Sequence, residues 1–200
     1  MSDSWSWLGK PEPDVDSFFD IINKQTATDF ELYGRLLADA EKMIVCEKRI
    51  SNFKVIWSQA YEVLSRLNAE HEFFFHVGKF FEHIRNIELA IPQKEDLHLV
   101  QLIKYHHNMT KATKDTLGRR KDVLKKKKLS AVAYETAQRT GQNVGIASEN
   151  FKGDEKKFED ISDLCKAEIN SYQRERVALF KANLTDYCKF QIEYSQVNGK

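Results

Sequence analysis

The sequence predicts an all-α protein in which long helices form an elongated, antiparallel three-helix coiled coil. Two observations lead to this prediction. The 200 residues include only 8 Gly and 3 Pro, too few for the closely spaced turns that sheets and hairpins need. Apolar residues also recur at spacings near three and four over most of the chain, as on one face of an α-helix. At about 1.5 Å per residue, three helices of about 45 residues would each be about 65 Å long.

Residues 1–13 are predicted to be a flexible leader, because Pro11 and Pro13 lie too close together to sit inside a helix. Trp5, Trp7 and Leu8 in this leader suit a lipid interface, a short docking peptide or a disordered end. The rest, residues 14–197, is predicted to be one domain. Its helices are expected over about residues 14–90, 95–140 and 150–197.

Capping and turn residues set these boundaries. Asp14 or Asp16 can cap the first helix, whose apolar pattern continues to Ile87 with a local break near Asn68. Pro92, with acidic residues behind it, predicts a tight turn into the second helix. Three glycines between residues 141 and 153, among Asn and Ser, predict the second turn as a loop.

Composition excludes several classes of protein. A formal net charge of +1 argues against a globally basic nucleic-acid binder. Three widely spaced cysteines, Cys46, Cys165 and Cys188, fit reduced thiols in the cytosol better than a disulfide framework. No run approaches about 18 consecutive apolar residues, and the N-terminus does not read as a signal peptide. The sequence therefore predicts a cytoplasmic chain that neither spans a membrane nor enters the secretory route.

Motifs for catalysis or metal binding are missing. Only Glu95 and His98 match the Glu-x-x-His motif, of which a di-iron bundle needs two. His71 and His76 are five residues apart, not the four of a zincin. Phosphate loops, nucleotide fingerprints, Cys-x-x-Cys pairs and nucleophile elbows are absent. We expect no enzyme activity, no catalytic residue, no metal and no cofactor.

The strongest local signal is a run of basic residues in the second predicted helix. Clustered Lys and Arg attract anionic lipids by about 1 kcal/mol per charge near the surface. The alternative interpretations are a solvated helix face and a string that resembles a nuclear-import signal, neither of which binds lipid. The candidate membrane-binding residues are Lys111, Lys114, Arg119, Arg120, Lys121, Lys125, Lys126, Lys127 and Lys128 and, beside the predicted loop, Lys152, Lys156 and Lys157.

Several stretches resemble the BAR domain of sorting nexins, most specifically near the C-terminus. They are residues 16–19, which resemble its opening helix, residues 80–85, 95–97, 102–105 and 119–120, which resemble its middle, and residues 158–162, 168–169 and 174–184, which resemble its end. The similarity covers nearly the whole chain after the leader and looks closest to the branch related to sorting nexins five and six.

The resemblance implies a curved dimer, either a homodimer or a heterodimer with another BAR sorting nexin. It implies a peripheral protein of endosome membranes that senses or tubulates curved, phosphoinositide-containing bilayers. It also implies endosomal sorting and retrograde transport with retromer or cargo adaptors. The phosphoinositide-binding PX domain that normally precedes the BAR domain is not in this sequence, which is expected to be either a fragment or a short natural form.

In this arrangement, the 90–97 turn would lie near the dimer centre and the 141–153 loop at the tip of the coiled coil. The candidate dimer-interface residues are Phe73, Phe74, Phe80, Phe81, Tyr187 and Phe190. The alternative function is a coiled-coil dimerisation scaffold that binds partner proteins without direct membrane contact.

Overall fold

A computed structural model describes residues 14–67 and 69–198, and helices make up nearly all of this part of the chain. The prediction of an all-α fold is confirmed. The elements are α1 (Ser17–Leu67), α2 (His71–Glu88), α3 (Ala90–Glu95), a π-helical turn (Asp96–Val100), α4 (Gln101–Thr140) and α5 (Val144–Asn198). The leader, with the interpretation given to Trp5, Trp7 and Leu8, lies outside the described residues.

The described residues form two compact units, each containing parts of α1, α4 and α5. Unit 1 comprises residues 14–31 and 109–173, and unit 2 comprises residues 32–67, 69–108 and 174–198. In unit 1, Asp16 caps α1, because its Oδ1 accepts the backbone N–H of Phe18 at 2.9 Å. The core of unit 1 joins all three helices and contains Phe19, Ile22, Leu117, Cys165 and Ile169.

The first chain reversal lies between α1 and α2, within unit 2. The rings of Tyr61 and Phe74 stack at 6.4 Å, and farther along the two helices Lys54 forms an ion pair with Glu88. Contacts that move backward along α1 as they move forward along α2 identify an antiparallel pair. The prediction of one helix over residues 14–90 is therefore wrong, because the chain turns back after Leu67.

Pro92 does not produce the turn that the sequence predicts. It is the third residue of α3, and the chain continues through the π-helical turn into α4. Glu95, just beyond Pro92, faces Glu47 of α1 and so continues the antiparallel pairing past Lys54 and Glu88. A proline in the first turn of a helix removes no intrahelical hydrogen bond, because the first N–H groups of a helix have no partner within it. The predicted turn at Pro92 is wrong for this reason.

The second reversal is shorter than the predicted 141–153 loop. Gly141 and Asn143 have φ values of 70° and 56°, in the left-handed region that Gly and Asn tolerate. Helix α5 begins at Val144, so the glycines at 145 and 153 lie inside it. The turn residues were predicted correctly, but the loop beyond them is helix.

Candidate membrane-binding and partner surfaces

Five exposed lysines of α4 form one stripe. At about 100° per residue, they fall within about 100° of arc around the helix. We call this set the basic stripe: Lys111, Lys114, Lys121, Lys125 and Lys128. Lys125 lies 3.1 Å from Asp122, but both side chains are about two-thirds or more exposed, so this pair contributes little to stability. The structure thus places these five predicted residues together on a solvent-facing surface of unit 1.

Arg119, Lys126 and Lys127 lie off this stripe. Arg119 is exposed, and Lys126 lies 3.5 Å from Asp154 of α5. Lys127 turns toward α5, where its Nζ lies 3.0 Å from Glu155 and above the ring of Phe158. The run of four lysines therefore divides between solvent and the contact of α4 with α5, as the helical repeat requires.

Arg120 is buried, with 2% of its surface exposed, and does not belong to a membrane-facing surface. Its guanidinium donates two hydrogen bonds to Asp14, at 2.5 and 3.0 Å, and its Nε donates one to Ser162 Oγ at 2.9 Å. The group also stacks 3.4 Å above the ring of Phe19. The prediction that Arg120 contacts lipid is corrected, because all sides of its charged group already contact the protein.

The contact with Arg120 lowers the pKa of Asp14. Burial raises the pKa of the Asp14 carboxyl, but the hydrogen bonds from Arg120 and from the Asp16 N–H outweigh this effect and hold the pKa below its ordinary value. Arg120 therefore joins the residues before α1 to α4, and through Ser162 to α5. This contact helps to hold unit 1 together.

The lysines of α5 do not extend the basic stripe. Lys152 and Lys156 are exposed and lie four residues apart, opposite the buried Asp154 and Phe158. These buried residues face α4, because Asp154 lies near Lys126 and Phe158 lies under Arg120 and Lys127. Lys152 and Lys156 therefore lie on the side of α5 that faces away from α4, and they do not form one continuous surface with the basic stripe. Lys157 lies elsewhere, 4.0 Å from Asp154.

The aromatic residues proposed for dimerisation lie in unit 2 and differ in exposure. Phe73 and Phe80 are 62% and 58% exposed. Phe81 instead contacts Trp57 and Tyr61, with ring centroids 5.1 and 5.7 Å apart. Phe74 contacts Tyr61 as well, Tyr187 donates a hydrogen bond to Glu95 at 2.8 Å, and Phe190 lies half-buried 6.2 Å from Tyr194.

A second exposed apolar surface on α1 was missed as a candidate interface. Its members repeat at three- and four-residue intervals: Met43, Cys46, Ile50, Phe53 and Trp57. Ile50, Phe53 and Trp57 are each more than half exposed. We call this set the α1 apolar stripe. The periodicity of these residues was visible in the sequence, but periodicity alone does not distinguish a side that faces the core from a side that faces a partner.

Two carboxyl groups meet in the interior of unit 2. Glu95 is 4% exposed, and its side chain and that of Glu47 share a hydrogen bond, which requires a proton on one of them. Burial, together with the hydrogen bond and charge of Glu95, raises the pKa of Glu47 to about 7. Burial and the same neighbour raise the pKa of Tyr187 to about 12. The Glu47 carboxyl therefore takes up and releases its proton near neutral pH.

No helix in residues 14–67 or 69–198 is long and apolar enough to cross a membrane. In the same residues, no three His, Cys, Asp or Glu side chains are grouped so that they would hold a metal ion.

Comparison with known proteins identifies the family. A family model described as Vps5 C terminal like matches residues 82–197, more than half of the chain. The chain belongs to the sorting nexin BAR family. The resemblance found in the sequence is thus confirmed. Domains of this family are non-catalytic trafficking modules that generally dimerise and bind membranes.

Individual relatives agree with the family model. The chain is 31% identical to human sorting nexin-6 over 127 residues, which are 64% of this chain and 31% of that protein. It is 26% identical to human sorting nexin-32 over 125 residues, which are 62% of this chain and 31% of that protein. The chain thus matches about a third of the length of these curated relatives.

Proposed function

We propose that this chain is a membrane-binding, dimerising BAR module that senses or tubulates curved anionic membranes in endosomal sorting. The basic stripe is the observation that supports the proposal most strongly. Five exposed lysines on one side of a single helix can contact one surface together. Each would contribute about 1 kcal/mol of attraction to an anionic bilayer, and salt would weaken that attraction.

The partner of unit 2 is proposed to be a second BAR chain, either another copy or another sorting nexin. The α1 apolar stripe, together with Phe73 and Phe80, exposes large hydrophobic side chains that a soluble monomer rarely groups together. Burial of each such side chain stabilises an interface by about 1.5–3 kcal/mol. Phe74 and Phe81 would lie beneath this interface, where Phe74 packs on Tyr61 and Phe81 packs on Tyr61 and Trp57.

The finer cellular assignment follows the family. We propose peripheral binding to phosphoinositide-containing endosome membranes from the cytoplasmic side, with retromer or cargo adaptors as further partners. The names and similarity of sorting nexin-6 and sorting nexin-32 support this assignment. The competing function is a dimerisation scaffold without direct membrane contact, for which the lysines would be solvated surface.

Vesicle co-sedimentation with charge reversal separates the two functions. The test variant carries Lys125→Glu and Lys128→Glu in the basic stripe. Its matched control carries Lys152→Glu and Lys156→Glu, the same change of charge on the side of α5 that faces away from α4. We expect the test variant to bind vesicles containing phosphatidylserine at least about 10-fold more weakly than wild type. The control should lose much less.

Two results would count against the proposal. Equal losses in both variants would mean that net charge, not the basic stripe, determines binding. Unchanged binding in the test variant would remove the electrostatic role of the stripe and favour the scaffold. Circular dichroism of all three proteins shows whether the substitutions leave the helices intact.

A further inference from the structure

Large apolar side chains continue the basic stripe toward the turn between α4 and α5. Leu129 and Val132 are 72% and 61% exposed, and at about 100° per residue both fall within the arc of the basic stripe. Ile146, in the first turn of α5, is 65% exposed. We call Leu129, Val132 and Ile146 the turn-end patch.

Charged side chains of both signs surround the turn-end patch. Leu129 and Ile146 line one open groove of about 600 Å³ between α4 and α5, which Lys126, Lys157, Glu149 and Asp154 also line. Asp154 lies near both of these lysines, so the excess of positive charge beside the patch comes from the basic stripe. Along α4, Lys125 and Lys128 precede Leu129 directly in the basic stripe. Exposed apolar side chains are normal when they occur singly, but here three occur beside a lysine-rich surface.

This combination matches the chemistry of a bilayer surface. Lysines place their ammonium groups among lipid phosphates while their methylene stems lie against apolar material. Side chains such as Leu, Val and Ile gain free energy by entering the boundary between headgroups and acyl chains. Because Leu129 and Val132 share their arc with the basic stripe, an anionic surface that contacts the lysines also meets these two residues.

We propose that Leu129, Val132 and Ile146 insert into the hydrocarbon edge of an anionic bilayer while the basic stripe holds its headgroups. This inference rests on the proposed membrane function and adds an apolar component to it. Binding would then have two parts: a charge-dependent part that salt removes, and an insertion part that salt leaves in place.

Site-specific fluorescence tests the insertion. The full chain carries Cys46→Ser and Cys188→Ser to remove the two exposed thiols, while Cys165 stays buried. Leu129→Cys is then labelled with a polarity-sensitive fluorophore and mixed with phosphatidylcholine–phosphatidylserine vesicles. We expect a blue shift, a rise in emission, and quenching by lipids that carry a spin label on the acyl chain. The matched control is Ile21→Cys, on α1 of unit 1, where the native side chain is 63% exposed. Its emission should stay that of a solvent-exposed label.

A second pair of variants measures the contribution without a label. Leu129→Ser should weaken vesicle binding at high salt by about 10-fold, the value of roughly one buried aliphatic side chain. Leu164→Ser is the control, since Leu164 is 61% exposed in α5 and does not line the groove. It should bind like wild type.

The outcomes separate this inference from the proposed function. If the chain co-sediments with vesicles but the label at 129 stays in a solvent-like environment, insertion is wrong and membrane binding stands. If the chain does not bind vesicles, both proposals fail. A blue shift that appears without lipid and grows with protein concentration would show that a second copy covers the patch, and would overturn the lipid assignment.

Discussion

Units 1 and 2 share helices α1, α4 and α5, and unit 2 also contains α2 and α3, but the two units expose different side chains. Unit 1 carries the basic stripe and a small core. The Arg120–Asp14 ion pair packs against this core through the ring of Phe19. Unit 2 carries most of the exposed large hydrophobic side chains in the described part of the chain, and the aromatic cluster around Tyr61. The difference indicates that one unit is suited to a charged surface and the other to an apolar partner.

The two surfaces would also differ in how they respond to solution conditions. Attraction between exposed lysines and an anionic surface weakens as salt screens the charges. Burial of apolar area is much less sensitive to moderate salt and contributes about 25 cal/mol per Å². Salt should therefore weaken membrane binding by unit 1 and leave dimerisation by unit 2 largely unchanged.

The largest effect is expected from the buried arginine of unit 1. Arg120→Ala leaves the Asp14 carboxylate without its partner in a largely buried position, and should lower the free energy of unfolding by about 3–5 kcal/mol. Arg119→Ala, the matched control, removes an exposed charge and should change it by less than about 0.5 kcal/mol. Urea unfolding followed by circular dichroism measures both. Similar losses in the two variants would contradict the structural role of Arg120.

The next effect tests the exposed apolar surface of unit 2. Phe53→Glu combined with Phe80→Glu should weaken dimerisation by at least about 100-fold, because it places two charges in an interface that would bury both rings. Leu129→Glu combined with Val132→Glu makes the same kind of change in unit 1 and should leave the solution mass unchanged. Sedimentation equilibrium distinguishes them. Loss of the dimer in the second variant alone would reverse the assignment of the two units.

A smaller effect should follow from the carboxyl pair in unit 2. The pKa of Glu47 in the folded chain, about 7, lies above its ordinary value of 4.5. The folded chain therefore binds this proton more tightly than the unfolded chain does. The stability that protonated Glu47 contributes falls as the pH rises from about 4.5 to about 7. Glu47→Gln mimics the protonated form, so it should remove this decline and stabilise the chain by about 2 kcal/mol above pH 7.

Unfolding curves of Glu47→Gln and wild type, measured at intervals of about one pH unit from pH 5 to pH 8, test the direction of this pH dependence. The control is Glu41→Gln, which changes an exposed glutamate of α1 and should follow wild type at every pH. A Glu47→Gln variant that is less stable than wild type above pH 7 would mean that the ionised carboxylate is the favoured form.

Sequence reasoning predicted the helical fold because periodicity and scarce turn residues are local signals. It misplaced the first reversal because proline restricts a helix differently at different positions. Inside a helix Pro92 would remove a hydrogen bond, whereas in the first turn of α3 it removes none. At the second reversal, Gly141 and Asn143 were clear signals because only such residues readily adopt a positive φ.

The candidate site was predictable only in part. The basic residues were evident because many of them are close together in the sequence. Which of them face solvent depends on their positions around the axis of α4. Arg119 and Arg120 are adjacent and chemically alike, yet only Arg120 shares a side of α4 with the buried Leu117. The pairing of Glu47 with Glu95 joins residues far apart in the chain and left no local signal. Long-range contacts of this kind require the tertiary structure.

The most direct test of membrane binding by charge is co-sedimentation of the wild-type chain with two kinds of vesicle, one neutral and one containing phosphatidylserine, at low and high salt. We predict strong binding to the anionic vesicles at low salt, a large loss at high salt that leaves a weak, measurable remainder, and equally weak binding to neutral vesicles that salt does not change. Equal binding to both kinds of vesicle at low salt, or no binding to the anionic ones, would contradict the role assigned to the basic stripe.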